Sequence, residues 1–341
     1  MPDDVSVSSP TEERLPASLE IDRMSTLQVV QLINDQDAQV AGAVAAALPQ
    51  LAGLVDEAVQ RMRAGGRVHY FGAGTSGRLA VIDAAELLPT FNVPPGLVIA
   101  HHAGGASALI TAAENVEDSV ELGRSEASAL REQDIAIGLT ASGRTPFVGG
   151  ALAVAREVGA LTALITSHPQ AELAPSADFL LAADTGPEVI TGSTRMKAGT
   201  AQKLLLNAFS TALMIKLGRT WSNLMVDMLA TNAKLRGRVV RILQQATGVS
   251  DDVARDALAL SGGELKPALV HLLAGIDVET ARDLLARHDG VVAGALAEAA
   301  GPRTGRRSSE RAGAPVSGQQ RGDTTGDVRA STVTVVPGAA R

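Results

Sequence analysis

Between Val68 and Ala182 the chain alternates short apolar runs with segments in which apolar residues return every third or fourth position. The runs are Val68 to Phe71, Leu97 to Ala100, Ile135 to Leu139, Leu161 to Ile165 and Phe179 to Ala182, each of strand length. Helical spacing fills Ser76 to Leu88, Ser107 to Ala113 with Asp118 to Arg131, and Pro146 to Val158. This β-α-β-α order predicts an α/β fold, a doubly wound parallel five-stranded sheet flanked by helices. Ligands of such sheets bind outside the carboxyl ends of the strands.

Outside this region the spacing is helical. Ser25-Thr26 precedes Leu27, Val29, Val30, Leu32 and Ile33, and a second stripe runs from Val40 to Met62, which predicts two N-terminal helices. Beyond Trp221, helices are predicted over Asn223 to Arg236, Val239 to Ala246, Asp251 to Leu260, Leu265 to Leu273 and Val278 to Ala299. The expected organisation is a flexible start (1–17), an N-terminal helical segment (18–57), the sheet domain (58–221), a C-terminal helical region (222–299) and an aperiodic, disordered tail (300–341).

At 341 residues and 45% hydrophobic the chain can bury a large core, and with 2% aromatics that core is aliphatic. A net charge of −7 with one Trp and one Tyr supplies neither the basic field nor the stacking platforms of a nucleic-acid binder. No cysteine is present, which excludes disulfides and thiolate metal sites. The polar, acidic start and apolar runs of about ten residues predict a soluble, cytoplasmic protein with no membrane span.

Candidate chemistry gathers in three loops. The first, Gly72-Ala73-Gly74-Thr75-Ser76-Gly77, leads from a strand into a helix, where free N–H groups favour an anion and the hydroxyls of Thr75 and Ser76 are polar handles. Its glycines also spell G-x-G-x-x-G, but no Asp or Glu lies between Glu86 and Glu114 to hold a ribose, which argues against a dinucleotide. The second loop is Thr140-Ala141-Ser142-Gly143-Arg144-Thr145-Pro146, with Pro146 as first helical residue and Thr145 as N-cap. The third is Thr191-Gly192-Ser193-Thr194-Arg195-Met196-Lys197, opening a long helix. Gly74, Thr75, Ser76, Ser142, Gly143, Arg144, Thr145, Ser193, Thr194 and Lys197 are therefore the candidate substrate-binding residues, and a phosphate monoester suits them. Helix capping and surface charge explain the same residue types one loop at a time; three such loops at one sheet edge favour a ligand.

These three loops, together with Glu20-Ile21-Asp22-Arg23 and Asn223-Leu224-Met225-Val226-Asp227, closely resemble the N-acetylmuramic acid 6-phosphate etherases of the SIS (sugar isomerase) superfamily. The stretch Gly192 to Thr200 is the most specific, shared chiefly with the etherases and their glucokinase-regulatory-protein relatives. The resemblance implies removal of the lactyl ether from a phosphosugar without metal or redox cofactor, by elimination then hydration, with two glutamates as acid and base. By motif position these are Glu86 and Glu117. Glu86 is expected to protonate the departing oxygen and Glu117 to take the proton at the α carbon, with the reverse assignment open. Glu114 lies one turn from Glu117 and matches a neighbouring acidic position. His101 and His102 depart from the apolar residues of the family, as paired surface imidazoles or as a border of the site.

Two other readings remain: an aldose-ketose isomerase using His101 or His102, and a non-catalytic sugar-phosphate sensor. Glu86 is ten residues past Ser76, about 15 Å along a helix, farther than a sugar phosphate spans. Either that helix bends or ends early, or Glu86 serves the site of a neighbouring subunit in a homodimer. Truncation after Gly301 is expected to leave turnover of the phosphosugar intact; a large loss in a rate assay would show that the tail takes part.

Overall fold

The computed structural model describes residues 9–111, 115–228 and 233–301. Its centre is a parallel sheet of β1 (Val68–Gly72), β2 (Val98–His102), β3 (Ile135–Leu139), β4 (Leu161–Thr166) and β5 (Phe179–Ala182), in the order β2-β1-β3-β4-β5. Tyr70 stands opposite both Ala100 and Ile137, so the chain leaves β1 to one side and returns to the other. The crevice at a doubly wound sheet's switch point therefore lies between β1 and β3.

Alternation along the strands sorts the two cores. Val68, Tyr70, Ile135, Ile137, Leu139, Ala163 and Ile165 face α2 (Val40–Ala45), α3 (Leu48–Arg63), α4 (Gly74–Phe91) and α8 (Lys197–Lys216). Phe71, Ala136 and Leu164 face α7 (Pro146–Glu157) and the segment after α6 (Val120–Glu126). With both faces covered, the inner strands β1, β3 and β4 are buried throughout and read as largely apolar runs, while the edge strands β2 and β5 are only half-buried. α5 (Gly105–Ile110) follows β2, and α1 (Thr26–Asp37) starts at a capping box formed by Ser25 and Gln28.

Several helical expectations are corrected. The stripe from Val40 to Met62 is two helices, with the chain turning at Ala46 and Ala47 and Pro49 set in the first turn of α3. Asp118 to Arg131 holds only the short α6, because Ala127 and Leu130 turn in to pack under α7. Asn223 to Arg236 does not form one helix: Ser222 adopts a left-handed φ of 52°, and β6 (Thr220–Trp221) pairs antiparallel with β7 (Leu224–Met225). The next helix, α9 (Ala233–Thr247), runs through the predicted break at Gly237. α10 (Asp251–Leu260) and α11 (Leu265–Ala274) fall where expected, whereas Val278 to Ala299 splits into α12 (Val278–Arg287) and α13 (Val292–Ala299) at Asp289 and Gly290, both at positive φ. These C-terminal helices bury a separate core around Leu243, Leu269 and Leu285.

The expectation of a flexible start also fails from Ser9 onward. Ser9 and Thr11 are buried, their hydroxyls 3.0 Å apart, and the Thr11 carbonyl accepts the Gly192 N–H at 3.1 Å. The tail from 302 lies outside the described residues. Among those described, no single helix is long and apolar enough to cross a membrane.

The sheet also buries a polar chain that periodicity did not reveal. His69 Nδ1 lies 3.0 Å from His101 Nε2, and His101 Nδ1 lies 2.9 Å from a Glu126 carboxylate oxygen. Asp134 accepts from Arg67 and Arg131 and stands 3.8 Å from His69 Nε2, which has no hydrogen-bond partner. Burial, reinforced by His101, lowers the His69 pKa to about 4 against the pull of Asp134. The unfolded chain then binds the extra proton between about pH 6.5 and 4, so stability falls as pH drops through that window, by about 3 kcal/mol from this group. Urea unfolding at pH 7 and pH 4.5 checks this. His69→Leu is expected to flatten the difference; an unchanged pH dependence would remove His69 as its source.

Candidate functional site

The first loop is held by close backbone packing. A Cβ on Gly77 would lie 2.5 Å from the Gly72 carbonyl oxygen and 2.6 Å from His102 Cδ2, so α4 starts directly against the end of β1. Gly74 takes a φ of 53°, and no side chain caps the first turn of α4. Thr75 is half-buried beside Gly199 of α8. Ser76 is buried and donates to Gln202 Oε1 at 2.9 Å, so its hydroxyl ties α4 to α8.

In the second loop Gly143 takes a φ of 74° and donates its N–H to Thr140 Oγ1 at 3.2 Å. Thr145 occupies the N-cap position of α7, yet its hydroxyl lies 2.7 Å from that of Thr140 and does not cap the helix. Ser142 Oγ is 3.3 Å from the same Thr140 oxygen, and Arg144 is half-buried. The first turns of α4 and α7 both stand without a side-chain cap at the switch-point edge; at α4 this suits an anion, whereas at α7 Pro146 has no N–H and Phe147 donates its own to the Glu117 carbonyl.

The third loop behaves differently. The buried carboxylate of Glu188 accepts the backbone N–H groups of Lys197 and Ala198, each at 3.0 Å, so the protein's own anion occupies the start of α8. Burial raises the Glu188 pKa against those two bonds. Lys197 is also buried and its Nζ donates to Gln36 Oε1 on α1 at 2.9 Å; burial lowers its pKa against Glu188, Asp37 and Asp184. Ser193 and Thr194 are half-buried, and the Thr194 carbonyl accepts the Gly199 N–H. Glu188 was missed because a buried loop carboxylate has no periodicity to betray it.

The two glutamates stand apart. Glu117 is exposed, and its carbonyl accepts the Phe147 N–H at 3.0 Å, which places it against the first turn of α7. Close crossing of α6 on α7 fixes that position, since a Cβ on Gly123 would lie 1.9 Å from the Phe147 carbonyl oxygen. Glu114 lies outside the described residues. Glu86 is twelve positions past Gly74 on a helix that continues to Phe91, about 18 Å down its axis. It lines a different cavity of about 420 Å³ with Asp83, Asn207, Ser222 and Asn223. Asp83 is buried there and accepts from Tyr70 Oη (3.0 Å), Asn207 Nδ2 (2.9 Å) and Ser210 Oγ (3.0 Å). Burial raises its pKa against those three bonds.

His101 and His102 are not a surface pair. His102 is buried under the first loop, its ring nitrogens 2.8 Å from the Ala103 carbonyl and 3.3 Å from that of Gly74, while His101 turns to the opposite face to meet His69. Among the described residues, no group of three or more His, Asp or Glu is placed to hold a metal ion. Among the described residues, the buried side-chain polar atoms without a partner include Ser167 Oγ, Thr185 Oγ1 and Gln202 Nε2, which sit after β4, after β5 and beside Ser76.

Fold and loops together define a SIS domain: residues 50–156 match the glucokinase regulatory protein N-terminal SIS domain and residues 109–212 the SIS domain. The chain is 57% identical over 267 residues to an N-acetylmuramic acid 6-phosphate etherase of Thermobifida fusca, covering 78% of this chain and 88% of that protein. It is 50% identical over 288 residues to one of Pectobacterium atrosepticum, covering 84% and 95%. A phosphoheptose isomerase structure from Francisella tularensis overlaps 56% of this chain and all (100%) of its own at 22% identity and a TM-score of 0.46. The chain belongs to the N-acetylmuramic acid 6-phosphate etherase family.

Replacing Glu188 by Ala is expected to lower stability by about 2–4 kcal/mol, because two buried N–H groups lose a charged acceptor. Glu188→Gln keeps an acceptor oxygen and should cost less. Urea midpoints check both; parity with the parent would show that the cap is not needed.

Proposed function

We propose that this protein cleaves the D-lactyl ether of N-acetylmuramic acid 6-phosphate, giving N-acetylglucosamine 6-phosphate and D-lactate. The observation that carries the reading is the position of Glu117, whose backbone carbonyl accepts the Phe147 N–H and so sets this exposed residue at the first turn of α7, beside the second loop. In the open-chain sugar Glu117 takes the proton from the carbon α to the aldehyde. Electrons of that C–H bond form the new double bond, and the bond from the β carbon to the lactyl oxygen breaks. Glu86 protonates the departing oxygen as D-lactate leaves. Water then adds to the β carbon of the unsaturated aldehyde, the α carbon regains a proton, and the amino sugar phosphate is restored. Both steps need carboxyl groups that change protonation, a task to which Glu is fitted. The first two loops take the phosphate, with Gly74, Thr75, Ser76, Ser142, Gly143, Arg144 and Thr145 around it, and Ser193, Thr194 and Lys197 border the same pocket.

In this reading the enzyme is a homodimer whose sites are shared. α4 neither ends early nor brings Glu86 back toward its own start, since Pro89 lies beyond Glu86. Ile82, one turn before Glu86 on the same face of α4, is 59% exposed, apolar surface that a second copy would cover. Glu86 of each subunit then faces its partner's phosphate loops.

The purified protein is expected to release D-lactate from N-acetylmuramic acid 6-phosphate, with Glu86→Gln and Glu117→Gln each slower by about 100-fold or more. No lactate from a folded parent that still binds the sugar phosphate would replace this reading with that of a sensor. Mixed dimers of the two variants should regain activity at the site that keeps both glutamates; no recovery in verified mixed dimers would count against sharing.

A further inference from the structure

The helix α9 carries four cations, Lys234, Arg236, Arg238 and Arg241, and the chain from Met228 to Ser250 contains no Asp or Glu. In a protein of net charge −7 this is a local inversion. Lys234 and Arg236 also sit in the first turn of the helix, where positive charge opposes the helix dipole. Lys234, Arg238 and Arg241 line one groove of about 600 Å³ with Asn223 and Gln245, and no carboxylate lines it. None of these three cations forms an ion pair with a described residue. Cations elsewhere on the C-terminal helices are partnered: Arg255 by Asp251, Lys266 by Asp227, Arg282 by Glu264 and Arg287 by Glu298.

The groove adjoins the proposed acid. Asn223 and Met225, at the β6–β7 hairpin, line both this groove and the cavity that contains Glu86. Glu86 and the cationic face of α9 thus border the same hairpin. In the reaction proposed above, Glu86 meets the ether oxygen, and the carboxylate of the lactyl group is two bonds from that oxygen. We propose that the α9 groove, with Arg238 as its central cation, holds the lactyl carboxylate and so distinguishes the substrate from hexosamine phosphates that lack it. The inference rests on the etherase reading and names the specificity group of the same site. The guanidinium fork matches a carboxylate in two hydrogen bonds, which a lysine ammonium cannot reproduce. Substrate would lie with its phosphate in one subunit's loops and its lactyl end between Glu86 and α9 of the other.

Calorimetric binding of N-acetylmuramic acid 6-phosphate and of N-acetylglucosamine 6-phosphate to the full chain separates the possibilities, with Glu86→Gln as the background so that substrate is not consumed. Adding Arg238→Met is expected to weaken the first ligand by about 10- to 100-fold and to leave the second within about twofold. Arg238→Lys should fall between parent and Arg238→Met. Equal losses for both sugars would assign the groove to the phosphate and overturn the proposal, as would no loss for either. Lactate release by the parent is read separately. A parent that releases none, yet whose Arg238→Met variant still loses only the lactyl sugar, would sink the etherase reading and keep the carboxylate site.

Discussion

Asp83 is the interaction on which the rest of the arrangement depends. Its carboxylate, buried on α4, is held by a tyrosine from β1 and by an asparagine and a serine from α8. A carboxylate taken out of water is costly unless its lone pairs are met, so these bonds demand one fixed placement of α4 against sheet and α8. At one end of that helix Gly77 lies on the carbonyl of Gly72; one turn beyond Asp83 stands Glu86. α4 is therefore a rigid spacer between a glycine turn and a distant carboxyl group, and under the proposed chemistry its length alone makes a single subunit an incomplete enzyme.

The inner strands β1, β3 and β4 were legible because they are buried along their whole length, and the half-buried edge strand β5 still reads as an apolar run; Ile135 to Leu139 and Phe179 to Ala182 coincide with β3 and β5. The loops were legible by composition, since glycine and hydroxyl residues at strand-to-helix junctions have few other reasons to recur. Legibility ended where tertiary partners override local pattern. Leu224 and Met225 have helical neighbours in sequence, but the left-handed Ser222 commits them to a hairpin. The buried setting of Lys197 was likewise hidden, since the Gln36 side chain that accepts from its ammonium group lies 161 positions away. Glu188 gives no signal at all: only the folded chain brings it to the first turn of α8.

Two kinds of anion site thus coexist at one sheet edge. The starts of α4 and α7 carry no side-chain cap, whereas the start of α8 is closed by Glu188. The internal carboxylate instead makes the Gly192 to Lys197 segment a rigid wall, pressed on Thr75 through Gly199.

That wall has a seam. Its Gly192 N–H is met by the carbonyl of Thr11, so a residue that precedes every strand completes a loop that follows the five-stranded sheet. Contacts between such remote positions close late, after the entropy of the intervening chain has been spent. On the ribosome the segment around Thr11 must wait, unpaired, until residues past the last strand emerge. The nascent sheet can assemble before then, but the loop at Gly192 remains unfinished.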